Sequence, residues 1–176
     1  MDTVQILRTL CDVSSFLDVF PSDLLPQSIA QTSTTVTMNA DPLTERFTLA
    51  SHALPTQIFI AHYFDSYGIV PLVPSIQAFI KRNCATWEFN RRELHGLMPD
   101  VCGKYCCLFA LYMDLGYTPK QFVSLFDACN NADRQVQRLF TTEFGAQMSR
   151  GAGVNAVAAA YKKVGTLSIL IIPNLT

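Results

Sequence analysis

Charged side chains are scarce in this sequence: they make up 15% of its 176 residues, and 13 lysines and arginines nearly balance 14 aspartates and glutamates. Without an excess of positive charge the chain has no general electrostatic attraction for nucleic acid, so we expect no nucleic-acid partner. The sequence also lacks an apolar run of the about 20 residues that a bilayer requires, and no secretory signal opens it. We therefore expect neither a membrane segment nor secretion.

Disulfide and metal-ligand patterns are missing as well. The six cysteines do not have the spacing of a small disulfide-stapled scaffold, so we expect reduced thiols. The run Cys102–Cys107, which holds three of them, is not followed by a second cysteine or histidine pair at zinc-ligand spacing. We predict no structural metal and no cofactor.

Hydrophobic residues, by contrast, make up 49% of the chain, and its length suffices for one sizeable core but not for two typical ones. We predict one globular domain over residues 1–148 and a C-terminal extension over residues 149–176. The extension contains a glycine-containing break, an alanine-rich segment of helical pattern at 154–164 and an apolar run at 166–172. That run is either a late strand of the sheet or an exposed tail that promotes association.

Periodicity and turn residues predict a series of helices and strands along the chain. They are a segment of helical spacing at Val4–Leu17, strands at Thr32–Met38, Arg46–Ala50 and Ile58–Phe64, a short helix at Val73–Arg82, a helix from Thr118–Pro119 to Ala128, and an amphipathic helix at Ala132–Met148. In this interpretation the strands at Arg46–Ala50 and Ile58–Phe64 form a β-pair.

Cys102 lies at the predicted start of a helix that continues through the apolar stretch Leu108–Leu115. The unpaired N–H groups and the positive dipole end at a helix start stabilise a thiolate, so Cys102 is a candidate nucleophile. Gly103 follows it and leaves the backbone N–H accessible, as an oxyanion site requires. The alternative is a structural cluster of buried cysteines on an apolar helix face, formed by Cys102, Cys106 and Cys107.

Upstream, the β-rich run Ile58–Tyr63 leads into Phe64-Asp65-Ser66-Tyr67-Gly68, which is typical of a strand that ends in a carboxylate and turns on a glycine. Together with Asn39-Ala40-Asp41-Pro42 before it and Cys102-Gly103-Lys104-Tyr105-Cys106 after it, this order resembles the adenain-like cysteine proteases. These proteases are relatives of the ubiquitin-like-protein-specific proteases and occur in adenoviruses and in virus-derived mobile elements. The resemblance spans residues 16–140.

The resemblance implies an α+β, papain-like fold in which a central mixed β-sheet packs on a helix that starts at the nucleophile cysteine. It implies a polypeptide substrate or peptide ligand, viral structural proteins as candidate partners, and a location inside the host cell or in the virion. It also implies roles for three residues: Cys102 is the nucleophile, Asp65 is the acid that orients a histidine, and the backbone N–H groups of Cys102 and Gly103 are oxyanion donors.

Two positions depart from the family pattern. The family histidine, which serves as general base, falls on Arg46, and the family glutamine, which donates to the oxyanion, falls on His95. A guanidinium stays protonated near neutral pH and cannot accept a proton from a thiol. The relay therefore needs another base, or the chain has no proteolytic activity.

Three histidines are candidates for the missing role. His95 faces the nucleophile by analogy, and its imidazole N–H can donate a hydrogen bond as an amide does, so we interpret it as an oxyanion donor and less readily as a displaced base. A solvent-exposed loop histidine is the structural alternative. His52 is a low-ranking alternative base, because it requires a shortened hairpin. His62 lies three residues before Asp65 on one strand, so alternation sends the two side chains to opposite faces and favours a core or edge histidine.

Two functions follow from these residues. The first is an adenain-like cysteine endopeptidase, impaired because Arg46 stands in place of the family histidine. The second is a catalytically inactive pseudoprotease that binds a peptide or serves as a structural protein of a virus or mobile element. In the second, an ion pair between Arg46 and Asp65 would replace the histidine–carboxylate pair of the family.

Overall fold

The computed structural model describes residues 1, 3–27, 34–38, 60–96, 98, 101–149 and 166–171. The helices are α1 (Thr3–Leu10), α2 (Pro74–Asn83), α3 (Cys102–Asp114), α4 (Pro119–Ser124) and α5 (Ala132–Ser149). The strands are β1 (Phe16–Pro21), β2 (Thr34–Met38), β3 (Ile60–Asp65), β4 (Thr86–Phe89) and β5 (Thr166–Ile171). Within these ranges no helix combines the length and the apolar character needed to cross a bilayer.

The local sequence explains where several helices begin. Pro74 occupies the first turn of α2, where a backbone N–H has no intrahelical partner. Thr118 caps α4: its hydroxyl accepts from the Gln121 N–H at 3.2 Å, and the Gln121 side chain accepts from the Thr118 N–H at 2.8 Å. The helices predicted at these two positions are confirmed, although α4 ends at Ser124 and not at the predicted Ala128, and so is a helix that begins at Cys102.

The five strands form one sheet in the order β1-β2-β5-β3-β4, and every pairing in it is parallel. The expectation of a mixed sheet is therefore wrong for the described strands. The connections give the reason, because β3 reaches β4 through α2, and a strand that returns after such a crossover lies parallel to the first.

The apolar run near the C-terminus forms a strand rather than an exposed tail. Strand β5 pairs with β2 on one side and with β3 on the other, and its Ile171 is in register with Asp65. The segment that the sequence assigned to an extension thus supplies an inner strand of the sheet.

Helices pack on both faces of β3. Phe64 joins α1, α3, α4 and α5 in the main core, where its ring stacks on that of Phe109 with centroids 4.5 Å apart. Its neighbours Ala61 and Tyr63 pack against α2 instead. This alternation is the two-residue period of a strand, and the nearly continuous apolar sequence of β3 suits a strand buried on both faces.

The first helix is shorter than the helical spacing at Val4–Leu17 predicted, since α1 ends at Leu10 and β1 soon follows. Between them the Asp114 carboxylate, from the end of α3, accepts from the Ser14 hydroxyl and from the Ser15 N–H, each at 2.9 Å. These tertiary hydrogen bonds fix a turn where periodicity alone predicted more helix.

The remaining predicted elements have simple outcomes. The strands at Thr32–Met38 and Ile58–Phe64 are confirmed as β2 and β3, and the helix at Ala132–Met148 is confirmed as α5. The predicted strand at Arg46–Ala50 and the predicted helix at 154–164 lie outside the described residues.

Candidate functional site

Cys102 is the first residue of α3, and 6% of its surface is exposed. Val101 before it offers no side-chain cap, and the first helical hydrogen bond joins the Lys104 N–H to the Val101 carbonyl at 2.9 Å. The N–H groups of Cys102 and Gly103 therefore precede the helical hydrogen-bond pattern, at the positive end of the helix dipole. Negative charge on a thiolate or an oxyanion is favoured at this position.

Gly103 has a packing role that the sequence did not reveal. A Cβ at this position would lie 2.9 Å from the Cβ of Met1, so a larger residue would force the two apart. The glycine after Cys102 thus allows Met1 to approach α3 closely.

Asp65 ends β3 and is 2% exposed. Its Oδ1 accepts from the Tyr67 N–H at 2.8 Å, and its carbonyl oxygen accepts from the Gly68 N–H at 2.8 Å. Asn90 binds the Asp65 backbone on both sides: its Oδ1 accepts from the Asp65 N–H at 2.9 Å, and its Nδ2 donates to the Asp65 carbonyl at 2.6 Å. The carboxylate is therefore held at the carboxyl end of an inner strand.

His95 is buried, with 3% of its surface exposed, and is not the solvent-exposed loop histidine of the structural alternative. Its ring stacks on Tyr67 with centroids 4.4 Å apart, and the Tyr105 ring of α3 lies 6.1 Å away. Nδ1 lies 2.9 Å from the Gly96 carbonyl oxygen, whereas Nε2 is buried without a hydrogen-bond partner among the described residues. The backbone N–H of His95 donates to the Ser66 carbonyl at 2.9 Å, which ties this loop to the end of β3.

Tyr67 links the predicted site residues to one another. Burial raises the pKa of Tyr67, and negative charges on Cys102 and Asp65 raise it further. Burial is also the main cause that raises the pKa of Cys106, and charges on Cys102 and Asp65 add to it. The Tyr67 ring stacks on His95 and its N–H donates to Asp65, while Cys102 is near enough for its charge to act on the Tyr67 hydroxyl.

Asp133, in the first turn of α5, holds the loop that carries His95, and it is 2% exposed. Its Oδ1 accepts from the Gly96 N–H at 2.9 Å, and its Oδ2 accepts from the Met98 N–H at 3.0 Å. The Tyr105 hydroxyl, which has one hydrogen to donate, lies 3.0 Å from the Leu94 carbonyl oxygen and 3.3 Å from the same Oδ1. Burial and, after it, the charge of Asp133 raise the pKa of Tyr105, so this hydroxyl remains a donor at neutral pH.

The other two thiols of the run are structural in character. Cys106 and Cys107 are fully buried on α3, and burial is the main cause that raises the pKa of each. A thiol that stays protonated is a poor nucleophile and a poor metal ligand. No group of three or more histidine, cysteine, aspartate or glutamate side chains in the described ranges could hold a metal ion. Cys102 differs from both through its position at the start of the helix.

The remaining predicted residues lie elsewhere. Arg46 and His52 are outside the described residues, and so is the hypothetical ion pair between Arg46 and Asp65. His62 is half-buried on β3, in register with Glu88 of β4. Burial lowers its pKa, against a smaller opposite effect of Glu88.

Sequence reasoning missed Asn90 and Asp133, the buried polar residues that hold Asp65 and the loop after His95. Asn90 is 25 residues from Asp65 along the chain, and Asp133 is 37 residues from Gly96. The sequence contained one signal for Asp133, an acidic residue in the first turn of a predicted helix, and the helix dipole alone accounts for such a residue.

Comparison with known proteins finds no relative of this chain. No protein-family model matches it, and neither a curated protein nor a solved structure shows significant similarity to it. The arrangement is therefore described by its chemistry. A thiol at a helix N-terminus, a carboxylate at a strand end and an imidazole with one unpartnered nitrogen among the described residues are each buried, and each is related to Tyr67 by a hydrogen bond, a ring contact or its charge.

Proposed function

We propose that the protein is a cysteine-type peptidase of the adenain-like kind and that it hydrolyses polypeptides through Cys102. The observation that carries the proposal is the surroundings of Tyr67: its ring stacks on the His95 imidazole, its N–H donates to the Asp65 carboxylate, and the charge of Cys102 acts on its hydroxyl. The order of the sequence motifs supports the same reaction class, because the nucleophile and the acid fall on two of these residues.

In this reaction the Sγ–H proton of Cys102 passes to an imidazole, and the thiolate attacks the carbonyl carbon of the peptide bond. The N–H groups of Cys102 and Gly103 donate to the carbonyl oxygen as it becomes negative. The C–N bond then breaks, and the amine leaves with the proton of the imidazolium. Water, deprotonated by the same imidazole, hydrolyses the thioester, which releases the carboxylic acid and restores the thiol.

The burial of the thiol favours a second function. Cys102 is 6% exposed, so a peptide carbonyl reaches the thiol only if the cover formed by the residues around it moves. A protein that keeps the cover closed is a pseudoprotease, which binds a peptide or serves as a structural component without turnover.

Alkylation kinetics test the peptidase. The full chain is treated with iodoacetamide from about pH 5.5 to about pH 9, and the modification of each cysteine is followed by mass spectrometry. We expect Cys102 to react faster than Cys11 at neutral pH although Cys11 is exposed and Cys102 is buried, because the thiolate is the reactive form. The Cys11→Ser variant is the matched control and should leave the rate of Cys102 unchanged.

Cleavage of dye-labelled, heat-unfolded casein gives the second readout. We expect the wild type to cleave it, and the Cys102→Ser variant to lose about 10³-fold or more of that activity. Intact casein together with a Cys102 that reacts more slowly than Cys11 at every pH would contradict the peptidase. Casein that binds equally to the wild type and to Cys102→Ser, without cleavage, would support the pseudoprotease.

A further inference from the structure

We infer that Asp133, acting through Gly96, holds His95 in the tautomer whose Nε2 accepts a proton, so that His95 is the general base of the thiol site rather than its oxyanion donor. The inference rests on the proposed function for the reaction that this base serves. Asp133 is a positioning residue, because it acts on the base through another residue.

The tautomer of His95 follows from its hydrogen bond to Gly96. Nδ1 lies 2.9 Å from the Gly96 carbonyl oxygen, and a carbonyl oxygen can only accept. Nδ1 must therefore carry the hydrogen. In a neutral imidazole the other nitrogen then has a lone pair and no hydrogen, so Nε2 accepts and cannot donate.

The carbonyl that sets this tautomer is held by Asp133. Its two carboxylate oxygens accept from the Gly96 N–H and from the Met98 N–H, at 2.9 and 3.0 Å, on either side of the Gly96 carbonyl. The close approach also requires a glycine, because a Cβ on Gly96 would lie 2.7 Å from Oδ2 of Asp133. With both flanking N–H groups bound to one buried carboxylate, the Gly96 carbonyl keeps a fixed direction.

The ring of His95 has little freedom to adopt another orientation. The ring is 3% exposed, and it stacks on Tyr67 and lies near the Tyr105 ring. Tyr105 lies three residues after Cys102 on α3, so the two side chains are on the same side of the helix. Nε2 has no hydrogen-bond partner among the described residues, although polar atoms in protein interiors are nearly always paired. An unpartnered acceptor beside Tyr67 is available to take a proton when a donor comes within hydrogen-bond reach.

As the general base, His95 takes up the proton that Cys102 loses. The proton leaves Cys102 Sγ and bonds to Nε2, which gives a thiolate and an imidazolium, while Nδ1–H continues to donate to Gly96. An oxyanion donor would need a hydrogen on Nε2 before the attack, and the neutral tautomer has none. The oxyanion is then left to the N–H groups at the start of α3.

A long-range proton–nitrogen NMR spectrum of the labelled full chain tests the tautomer. At about pH 8 a free imidazole is neutral, and the chemical shifts of its two nitrogens identify the one that carries hydrogen. We expect the Nδ1–H form for His95, assigned by its absence in His95→Gln, and a changed nitrogen pattern in Asp133→Asn. The exposed Asp23→Asn variant should match the wild type. An Nε2–H form in the wild type overturns the inference whether or not any variant folds, and so does an unchanged pattern in folded Asp133→Asn.

The His95→Gln variant separates the base from the oxyanion donor. Glutamine can donate a hydrogen bond but cannot accept a thiol proton near neutral pH. If His95 is the base, alkylation of Cys102 at neutral pH slows about tenfold or more in this variant, and casein cleavage falls by about 10² to 10⁴. If His95→Gln keeps both the alkylation rate of Cys102 and casein cleavage while wild-type Cys102 is reactive, His95 is not the base and the inference is overturned. The proposal of a peptidase is then retained. An unreactive Cys102 in the wild type overturns the base and the peptidase together.

Discussion

Asn90 and Asp133 have the same role in different parts of the chain. Each is a buried side chain that satisfies two backbone groups of a segment that carries a candidate site residue, Asp65 in one case and His95 in the other. A buried backbone group that loses its partner costs about 1–3 kcal/mol, so a side chain that binds two such groups holds its segment firmly. This explains how side chains next to an irregular loop can share one fixed geometry.

Replacement of Asn90 tests this role. We expect Asn90→Ala to lower the free energy of unfolding by about 1 to 3 kcal/mol, because the buried Asp65 N–H loses its partner and the Asp65 carbonyl keeps only the Gly68 N–H. Urea denaturation measures the difference. The matched control is Asn130→Ala, at an exposed position, which should stay within about 0.5 kcal/mol of the wild type. Equal effects of the two substitutions would contradict a structural role for Asn90.

The site residues that the sequence predicted are those with a local signal. Cys102 precedes an apolar helical stretch, and Asp65 ends a β-rich run, so both stand out from their neighbours alone. Asn90 binds backbone 25 residues away, and Asp133 binds backbone 37 residues away. Nothing in the sequence around either residue indicates such a hydrogen bond. His95 came from analogy, while its burial and its tautomer depend on packing that a polar loop sequence does not encode.

At the scale of elements, local signals predicted where helices and strands occur, but not the direction in which neighbouring strands run. Proline at the start of α2, and Thr118 with Pro119 at the start of α4, gave those helices, because these signals act within one turn. A threonine-rich run gave β2 and a β-rich run gave β3. The parallel sheet depends on how the strands are connected, which the resemblance did not supply. The short, mostly exposed strand β4 was missed, since its sequence has no buried face to reveal it.

Two glycines in different elements should respond oppositely to alanine. Gly68 turns the chain after β3 with a φ of 68°, and a Cβ at this position would lie 2.8 Å from the carbonyl carbon of Arg92. We therefore expect Gly68→Ala to lower the free energy of unfolding by about 2 kcal/mol or more. Gly145 lies within α5, where a Cβ would meet a Thr141 methyl at an ordinary 3.6 Å. Gly145→Ala should therefore gain about 0.5–1 kcal/mol, and serves as the matched control in urea denaturation. Destabilisation by both substitutions would contradict the assignment of Gly145 to a helix interior with room for a methyl group.

At the scale of the whole molecule, the parallel sheet explains where the candidate site lies. Strands β2, β5 and β3 run in one direction, so their carboxyl ends share the edge at which Asp65 ends β3. Open parallel sheets bind their ligands outside this edge. Cys102, at the N-terminus of α3, brings a helix dipole to the same place, so strand end and helix start together favour a site for negative charge.

Buried thiols and phenols give the molecule an alkaline limit. Burial raises the pKa of Cys84 to about 12 and raises the pKa values of Cys106, Cys107 and Tyr105 as well. The folded protein therefore keeps protons that the unfolded chain releases as the pH rises through 9.0 for thiols and 10.0 for phenols. Stability falls with pH wherever the unfolded state binds fewer protons than the folded state. These groups thus favour folding least at high pH.

We expect the Tm, measured by calorimetry with a non-thiol reductant present, to fall by several degrees between about pH 8 and about pH 10.5. The Cys84→Ala variant loses one of the responsible groups, so its Tm should fall less over this range, even if lost packing lowers it at every pH. The Cys11→Ser variant removes an exposed thiol and should follow the wild type closely. A wild-type Tm that stays constant or rises would mean that the thiols of α3 ionise in the folded protein as freely as in the unfolded chain. In that case burial would not explain why Cys106 and Cys107 are less reactive than Cys102. Of the differences described above, only the position of Cys102 at the start of α3 would then remain.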